Sequence, residues 1–509
     1  MSVPAIALRG RGRSGARRDP VLAACAAAAA AFAGLMVGAD RLFEAAGLAI
    51  LAGALIAGVY DWRRTVYGLL VFLPFSGIPY ILLYPNVRLA LLMKDLVFVI
   101  PAYMGFVASR QAQRRRIAPG ALPVVLLALF ALLVVVQVFN PALPNRLVGL
   151  IGVKVWLFYV PLCLIGYHLV ETMADLGRLL AVMSLAAVVP ALVGLVEAVL
   201  VYSGHPDLVY RWYGGAAESA TQGFVQFDFL GGGSLRRIPS TFSYTAQYFS
   251  FTVSMVAITY AWWRGALAKG RFAPAGAALW LLLLAASFLS GARAAFMFVP
   301  FLIALIAVLE ARDLRVPVGQ LVVMPSALLA GTVVILGVSA GTLLSHTVKV
   351  GLEEFQVVFV DGLRHGVATT ITGLGTGIDT NAARYAFDQT SQFTAVGGTW
   401  YESWYVKTHL ELGLAGLALL LALLGQLVVA GLRRHAALRD RRLRAVSASL
   451  LALLIWNAVY GLKAQPVDLD PINVYFWLFI GVLARLPQLD AAEHPGPAHS
   501  QGQPAEVAS

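Results

Sequence analysis

The stretch Glu402-Ser-Trp-Tyr-Val-Lys-Thr-His-Leu-Glu-Leu-Gly-Leu-Ala-Gly416 decides how this chain is organised. It joins the longest polar stretch between apolar segments, 341–401, to an apolar run that continues to Leu432 and predicts a long helix. An acid and a histidine therefore lie where a membrane helix meets water. Ionisable residues at that depth are candidates for function.

The composition around this stretch is that of a polytopic membrane protein. Of the 509 residues, 59% are hydrophobic and 13% are charged, against roughly 25% charged residues in an average soluble domain. A helix needs about 20 apolar residues to cross the hydrocarbon core, so the sequence predicts an all-α protein with about fourteen transmembrane helices. These apolar runs lie near 21–38, 45–60, 65–84, 89–108, 121–139, 150–170, 178–202, 244–262, 273–290, 294–310, 317–340, 406–430, 446–463 and 472–486.

Lys and Arg residues predict the orientation, because basic residues in short loops are retained on the cytoplasmic side. With both termini inside, most of the 38 Lys and Arg residues fall on inner segments. The first apolar run also resembles a secretory signal, but we favour a retained span. The predicted division is a basic cytoplasmic N-terminus at 1–20, membrane helices at 21–202, an outer loop at 203–243, membrane helices at 244–340, a large outer loop at 341–401, membrane helices at 402–487 and a disordered cytoplasmic tail at 488–509.

Charge and cysteine content exclude several functional classes. The net charge of +12 is explained by orientation and by contacts to anionic lipids. Basic residues are spread over many short loops, so no nucleic-acid partner is expected. Cys25 and Cys163 both fall in predicted spans, and no metal-ligand spacing occurs, so neither a disulfide framework nor a metal or other cofactor is predicted.

Three arginines converge on the predicted outer side. Arg236 and Arg237 precede an apolar span, and Arg293 lies in the turn Ser290-Gly-Ala-Arg293 between two spans. A guanidinium offers a planar fork of donors that matches phosphate or carboxylate oxygens. The pattern predicts a phosphate-bearing ligand at this interface. The alternative is that the arginines anchor to lipid head groups or pair with acids such as Glu353 or Asp361.

Glu402, Tyr405 and His409 are spaced i, i+3 and i+7, which places them on one stripe of a helix. An acid at the mouth of a polar cavity accepts a proton from a sugar hydroxyl when its pKa is suited to the task. The alternative for Glu402 is a first-turn acid favoured by the helix dipole. We interpret His409 as a helix-packing residue, with substrate contact as the alternative.

A further set of polar residues lies inside predicted spans, namely Lys94, Asp95, Lys154 and Glu197. Adjacent helical residues point about 100° apart, so Lys94 and Asp95 are expected to find separate partners rather than each other. Structural pairing and ligand contact both remain open for this set. The run Gly373-Leu-Gly-Thr-Gly377 lacks the surrounding strand and helix of a nucleotide site, and it predicts a tight turn.

Three separated segments resemble the O-antigen ligase and polymerase family of bacterial envelope proteins. They are Arg237-Ile-Pro-Ser-Thr-Phe242 leading to Tyr248, the Ser290–Arg293 turn, and the block 373–416. That block in the family has a Gly-x-Gly, then His-Asn, and Gly-Leu-x-Gly opening a span. Gly413-Leu-Ala-Gly416 fits the ending, and Glu402-Ser403 stands where the family usually has His-Asn.

The resemblance implies a C-type glycosyltransferase-like bundle in the bacterial inner membrane, with two larger outer loops. It implies metal-independent transfer of glycan from an undecaprenyl-diphosphate-linked donor to a sugar hydroxyl. Arg237 and Arg293 would hold the diphosphate, with Arg236, Lys154, Lys94, Tyr405 and His409 as further candidate substrate contacts, and Glu402 would be the candidate base. The glutamate in place of histidine favours a polymerase of exopolysaccharide, capsule or O-antigen over a lipopolysaccharide ligase. Membrane lipids, a chain-length regulator and a flippase of the pathway are the expected partners.

Two rival interpretations come from other functional classes. A transporter or flippase of lipid-linked sugars would use Lys94, Asp95, Lys154 and Glu197 as a substrate or proton path. A scaffold protein of the envelope machinery would need none of the named residues. The concentration of polar groups on one predicted side favours the glycosyltransferase.

Overall fold

The computed structural model describes residues 42–85, 87–113, 122–221, 226–228, 234–266, 273–311, 340–380 and 402–494. These residues are helical apart from one antiparallel pair of short strands, so the all-α prediction is confirmed. Two predicted spans, 21–38 and 317–340, lie outside this part of the chain except for Ala340. Each of the other predicted apolar segments coincides with helix.

The described residues fall into two compact units. The smaller lies within Met1–Leu69 and Arg88–Ile117. Small residues bring its helices close together, since a Cβ on Gly105 would lie 1.9 Å from the Gly58 carbonyl oxygen. Its helices are α1 (Leu42–Tyr60), most of α2 (Trp62–Phe72), α4 (Arg88–Lys94) and α5 (Ile100–Gln113), the last two joined by a π-helical turn, Asp95–Val99.

The larger unit comprises Leu70–Val87 and Ala118–Ser509. It begins with the end of α2 and α3 (Gly77–Leu83), which is bent by 61° from α2. Its other helices are α6 (Val124–Val136), α7 (Arg146–Leu157), α8 (Leu162–Leu169), α9 (Met173–Ala186), α10 (Val188–Tyr202), α11 (Pro206–Tyr213), α12 (Ala217–Thr221), α13 (Thr245–Ala261), α14 (Ala273–Phe288), α15 (Ala295–Glu310), α16 (Ala340–Glu354), α17 (Gly362–Thr369), α18 (Trp404–Ala437), α19 (Arg441–Tyr460) and α20 (Ile472–Glu493). The strands β1 (Gln226–Asp228) and β2 (Ser234–Arg236) pair between α12 and α13.

Length and hydropathy identify the helices that are able to cross a bilayer. In the described part of the chain six helical stretches qualify, and the bent α2–α3 pair makes a seventh if it is one span. Four shorter apolar helices of 10–17 residues accompany them. The chain is therefore an apolar helical protein of the membrane type, and the number of crossings stays a prediction.

Helix α13 lies at the centre of the larger unit and packs against α14 and α19. Nearly all of its residues are buried, so its hydroxyl groups have no water to bond. Two of them turn back onto the backbone of the same helix, Ser254 to the Ser250 carbonyl at 2.8 Å and Thr252 to the Phe249 carbonyl at 2.9 Å. Thr259 instead bonds to the Ser184 hydroxyl of α9 at 3.1 Å, which links the two helices.

Helix α18 is not the continuous helix that the sequence predicts. Gly413 has φ 72° and ψ −172°, which interrupts the helix after Leu412. The break leaves carbonyl groups of the helix without N–H partners in the helix. Backbone N–H groups of the glycine-rich loop bond to these carbonyls instead. Leu374 donates to the Leu410 carbonyl at 2.7 Å, and Gly375 donates to the Glu411 carbonyl at 3.1 Å. A tertiary contact thus divides the helix.

The predicted disordered tail also begins too early. Helix α20 continues through Pro487 to Glu493. Its Asp490 is 6% exposed and accepts the backbone N–H groups of Arg439 at 2.9 Å and Asp440 at 2.8 Å. The boundary at 488 was wrong because this carboxylate docks the last turns onto the start of α19.

Candidate functional site

The segment that carries Arg236 and Arg237 is held by a buried acid. The next turn places Ser240 at φ 53°, a left-handed conformation. Glu197 on α10 accepts the Ser240 N–H at 2.8 Å, and the Tyr213 hydroxyl lies 2.5 Å from both the Glu197 carboxylate and the Ser240 carbonyl. Glu197 is 1% exposed. Its described hydrogen bonds give it a structural role in fixing this turn.

The turn Ser290–Arg293 lies directly against the same segment. Ile238 donates its N–H to the Ser290 carbonyl at 3.0 Å. Gly291 has φ 75°, and a Cβ there would lie 1.8 Å from the Arg236 carbonyl oxygen. Two of the three segments that resemble the glycosyltransferase family are therefore in backbone contact, although about 50 residues separate them in sequence.

Arg293 pairs with an acid that the sequence did not single out. Its Nη2 lies 3.0 Å from Glu354 Oε1, and the other carboxylate oxygen contacts Nζ of Lys463. Glu354 ends α16, and Lys463 follows α19. The expected partners Glu353 and Asp361 are replaced by Glu354 because it is the half-buried member of the helix end that faces this turn, while Glu353 is exposed.

Arg237 belongs to the same charged cluster. Burial lowers the pKa of Lys463, Glu354 raises it, and Arg237 and Arg293 lower it further by charge repulsion. Burial likewise lowers the pKa of Arg293, with Glu354 opposing the shift and Arg237 adding to it. These groups form what we call the outer charge cluster, consisting of Arg237, Arg293, Lys463 and Glu354.

Glu402 is exposed and lies two residues before α18. The chain is anchored next to it because Trp404 donates its N–H to the carbonyls of Gly461 at 2.9 Å and Ala464 at 3.1 Å, on either side of Lys463. These backbone contacts bring the start of α18 to the segment that carries Lys463. Tyr460, at the end of α19, has electrostatic interactions with Arg237, Glu402 and Glu354.

The other two members of the predicted stripe lie in helix contacts. The Tyr405 hydroxyl donates to the Ala458 carbonyl of α19 at 2.6 Å. His409 is fully buried, and a Cβ on Gly366 of α17 would lie 2.8 Å from its ring carbon Cδ2. Burial agrees with the interpretation of His409 as a packing residue, and substrate contact by either residue stays an untested prediction.

A second buried polar cluster lies on the same helix. Lys407 forms an ion pair with Asp468, and its Nζ lies 4.8 Å from the centre of the Trp156 ring. Glu411 accepts Trp156 Nε1 at 2.6 Å and the N–H groups of Gly377 at 2.8 Å and Asp379 at 3.1 Å, together with the Thr380 hydroxyl at 3.0 Å. These residues pin the glycine-rich loop to the broken helix.

The loop itself confirms the prediction of a tight turn. Gly373, Gly375 and Gly377 all have positive φ, at 90°, 108° and 90°. Sequence reasoning left out Lys407, Glu411 and Asp468. The available signal was their charge inside apolar surroundings, which marks functional or structural sites in membrane proteins.

The remaining candidates lie on other helices. Lys154 is half buried on α7, two residues before Trp156. Lys94 and Asp95 lie in the smaller unit and pair with each other, Nζ to Oδ1 at 3.1 Å, so the expectation of separate partners was wrong. The long lysine stem curls around the helix at the point where a π-helical turn begins.

No group of three His, Cys, Asp or Glu side chains that could hold a metal ion occurs in the described part of the chain. The site described above consists of cations, carboxylates and a phenol. Cations of this kind are able to bind an anion, and a carboxylate is able to accept a proton. Comparison of the chain with protein-family models, with curated proteins and with solved structures found no match.

Proposed function

We propose that this chain is a membrane glycosyltransferase of the O-antigen ligase and polymerase type, which transfers glycan from an undecaprenyl-diphosphate-linked donor to a sugar hydroxyl. One observation carries the proposal. Arg293 and the segment that carries Arg237 are in backbone contact, and Arg293 shares the Glu354 carboxylate with Lys463. Glu402 lies two residues before Trp404, whose N–H bonds to the carbonyls on either side of Lys463. This combination of anion-binding cations and a nearby exposed acid matches the requirements of the reaction.

The chemistry needs two things from the protein. The acceptor oxygen attacks the anomeric carbon, the bond from that carbon to the diphosphate breaks, and the diphosphate leaves with the electron pair. Cations aimed at the diphosphate stabilise the charge that develops on it. The hydroxyl proton passes to the Glu402 carboxylate, which acts as general base.

The finer assignments belong to the same proposal. They are about fourteen crossings of the bacterial inner membrane in a C-type glycosyltransferase-like bundle, with both termini cytoplasmic and two larger outer loops. Polymerase activity on exopolysaccharide, capsule or O-antigen repeats is favoured over ligation. A chain-length regulator and a flippase are the proposed partners.

Two substitutions test the activity. Arg293→Ala removes a diphosphate ligand and Glu402→Gln removes the base, and we expect each to lower glycan transfer roughly a hundredfold or more, as loss of one transition-state donor does. Transfer is measured with purified protein and lipid-linked repeats, where a ladder of products indicates a polymerase and a single step indicates a ligase. Normal ladders from both variants would sink the proposal.

Matched controls are available on the same predicted side. Arg364 has 77% side-chain exposure and pairs with Asp361 at 3.5 Å, so Arg364→Ala removes an outer arginine without touching the cluster. Glu353→Gln removes an exposed acid next to Glu354. Both controls are expected to retain full transfer. Movement of labelled lipid-linked sugar across liposomes without any transfer would support the rival transporter.

A further inference from the structure

The placement of Glu354 within the outer charge cluster is unusual for a surface ion pair. Its two oxygens are divided between two cations, Arg293 Nη2 at Oε1 and Lys463 Nζ at Oε2. The three side chains are only 14%, 19% and 26% exposed for Arg293, Lys463 and Glu354. A carboxylate that spreads its oxygens over two donors in this way has the binding geometry of a small bound anion.

The donors that hold Glu354 suit a phosphate equally well. A guanidinium fork and an ammonium group both bind phosphate oxygens, the fork with fixed geometry and the ammonium as a point charge. Arg237 adds a third positive charge, which lowers the pKa of both Arg293 and Lys463 by repulsion. A diphosphate carries more than one negative charge and several oxygens, so it is able to contact the guanidinium and the ammonium group at the same time.

From this geometry we propose that Glu354 is an internal counter-ion that occupies the binding site of the diphosphate. Lys463 is then a third ligand of the diphosphate, beside Arg237 and Arg293. The inference rests on the proposed function and extends it. Binding of the diphosphate displaces the Glu354 carboxylate from Arg293 and Lys463. No covalent step is involved, since one anion exchanges for another.

The Glu354 carboxylate has a clear physical role before the diphosphate binds. Burial and two arginines lower the pKa of Lys463, and Glu354 is the group that raises it again. The carboxylate therefore favours the charged form of the lysine and limits repulsion among the cations before the substrate binds. Glu354 is followed at once by a π-helical turn, Phe355–Asp361, and such turns interrupt the regular helical ladder next to the residue that has to move.

The test measures binding of inorganic pyrophosphate by calorimetry, with the full chain in phosphatidylcholine nanodiscs. Glu354→Gln is expected to bind roughly tenfold more tightly and Lys463→Gln roughly tenfold more weakly than the unsubstituted protein, the scale of one partly screened charge at short range. Lys463→Arg keeps the charge and is expected to bind like the parent. Glu353→Gln, on the exposed neighbour, is expected to change nothing.

Several outcomes decide the matter. Equal pyrophosphate affinity in Glu354→Gln and the parent overturns the counter-ion, and unchanged affinity in Lys463→Gln overturns the third ligand. Should Glu354→Gln fail to fold, Glu354→Asp withdraws the carboxylate by one methylene and is expected to tighten binding to a smaller extent, with unchanged affinity again counting against the proposal. Loss of pyrophosphate binding when phosphatidylglycerol is added to the nanodiscs would mean that the site binds a lipid head group, and it would overturn the proposed diphosphate site.

Failure here is distinguishable from failure of the proposed function. The transfer assay on Arg293→Ala and Glu402→Gln uses a lipid-linked donor and does not depend on Glu354. Reduced transfer in those variants together with unchanged pyrophosphate affinity in Glu354→Gln leaves the glycosyltransferase standing and removes the counter-ion. Normal transfer in both variants removes the glycosyltransferase, whatever pyrophosphate does.

Discussion

At the scale of single residues, backbone conformations decide where the arginines lie. Ser240 adopts a left-handed conformation that costs a non-glycine residue roughly 1–2 kcal/mol. Hydrogen bonds to Glu197 and from its own hydroxyl to the Pro190 carbonyl at 2.7 Å offset that cost. Gly291 packs its backbone against the Arg236 carbonyl of the same segment, an approach that is possible because glycine has no side chain. Arg237 and Arg293 are neighbours because of these two positions.

We predict that Gly291→Ala separates the two arginine-bearing segments. The new Cβ would lie 1.8 Å from the Arg236 carbonyl oxygen, at a residue with φ 75°. We expect a loss of about 2–4 kcal/mol of stability, from the left-handed backbone and from overpacking together. Thermal unfolding in detergent and glycan transfer are the measurements, and both should fall.

Gly425→Ala provides the matched control for this substitution. Gly425 lies in the helical part of α18, and a Cβ there would meet no atom within 4 Å. Alanine is the better helix former, so Gly425→Ala should raise stability by about 0.5–1 kcal/mol. Equal behaviour of the two variants would show that backbone contact at Gly291 does not matter.

At the scale of elements, the division of α18 at Gly413 determines how the site is supported. Glu402 lies two residues before the short first part of the helix, and Glu411 lies near the end of that part. Glu411 binds the glycine-rich loop, and Lys407 pairs with Asp468 in the segment that follows α19. The helix that presents the candidate base is thus held at several points by buried charged groups, which restricts its movement relative to Lys463.

The two glutamates of this helix are predicted to respond oppositely to the same substitution. Both carboxylate oxygens of Glu411 accept hydrogen bonds, Oε1 from Asp379 and Thr380 and Oε2 from Trp156 and Gly377. In Glu411→Gln one of these oxygens becomes an NH₂ group, which would face two donors and could accept from neither. We expect a loss of about 2–4 kcal/mol of stability. Glu402→Gln, at an exposed position, should lose transfer and keep its unfolding temperature.

Thermal unfolding of both variants in the same detergent checks this prediction. A stable Glu411→Gln would mean that the four hydrogen bonds do not hold the loop. A destabilised Glu402→Gln would mean that its effect on transfer reflects folding, and it would weaken the assignment of Glu402 as base.

At the scale of the whole larger unit, the contacts agree with the grouping of the loops into two sides, while the cytoplasmic side stays a prediction. Members of the outer charge cluster come from segments that the sequence assigns to the outer side. Contacts between segments assigned to the inner side also occur. They include His435 with the Leu309 carbonyl at 3.0 Å, Tyr260 with Glu310 at 2.7 Å, and Arg485 with the Val170 carbonyl at 3.1 Å. Residues on opposite sides of a bilayer could not make such contacts.

Cysteine labelling tests this orientation directly. With Cys25 and Cys163 replaced, Asp207→Cys lies in the predicted outer loop and Ala437→Cys at the end of α18 on the predicted inner side, both at exposed positions. A membrane-impermeant maleimide should label Asp207→Cys in intact cells and Ala437→Cys only after permeabilisation. The reverse pattern would place the outer charge cluster in the cytoplasm and exclude the proposed donor.

Local properties of the chain were readable from sequence. Apolar runs predict helices because burial of apolar side chains and internal backbone hydrogen bonding depend on neighbouring residues. The positive φ angles of Gly373, Gly375 and Gly377 follow from glycine itself. The three arginines were also recognisable as a group, since their segments share one predicted side of the membrane.

Partner choice was decided only by tertiary structure. Glu354 meets Arg293 across 61 residues and Lys463 across 109, and Trp156 meets Glu411 across 255. No periodicity relates positions so far apart, so these pairings could not be predicted. The break at Gly413 was equally hidden, because a helix gives up its own hydrogen bonds only where another segment replaces them. The sequence by itself determined the helices and predicted which charged segments share a side, and packing decided which charges meet.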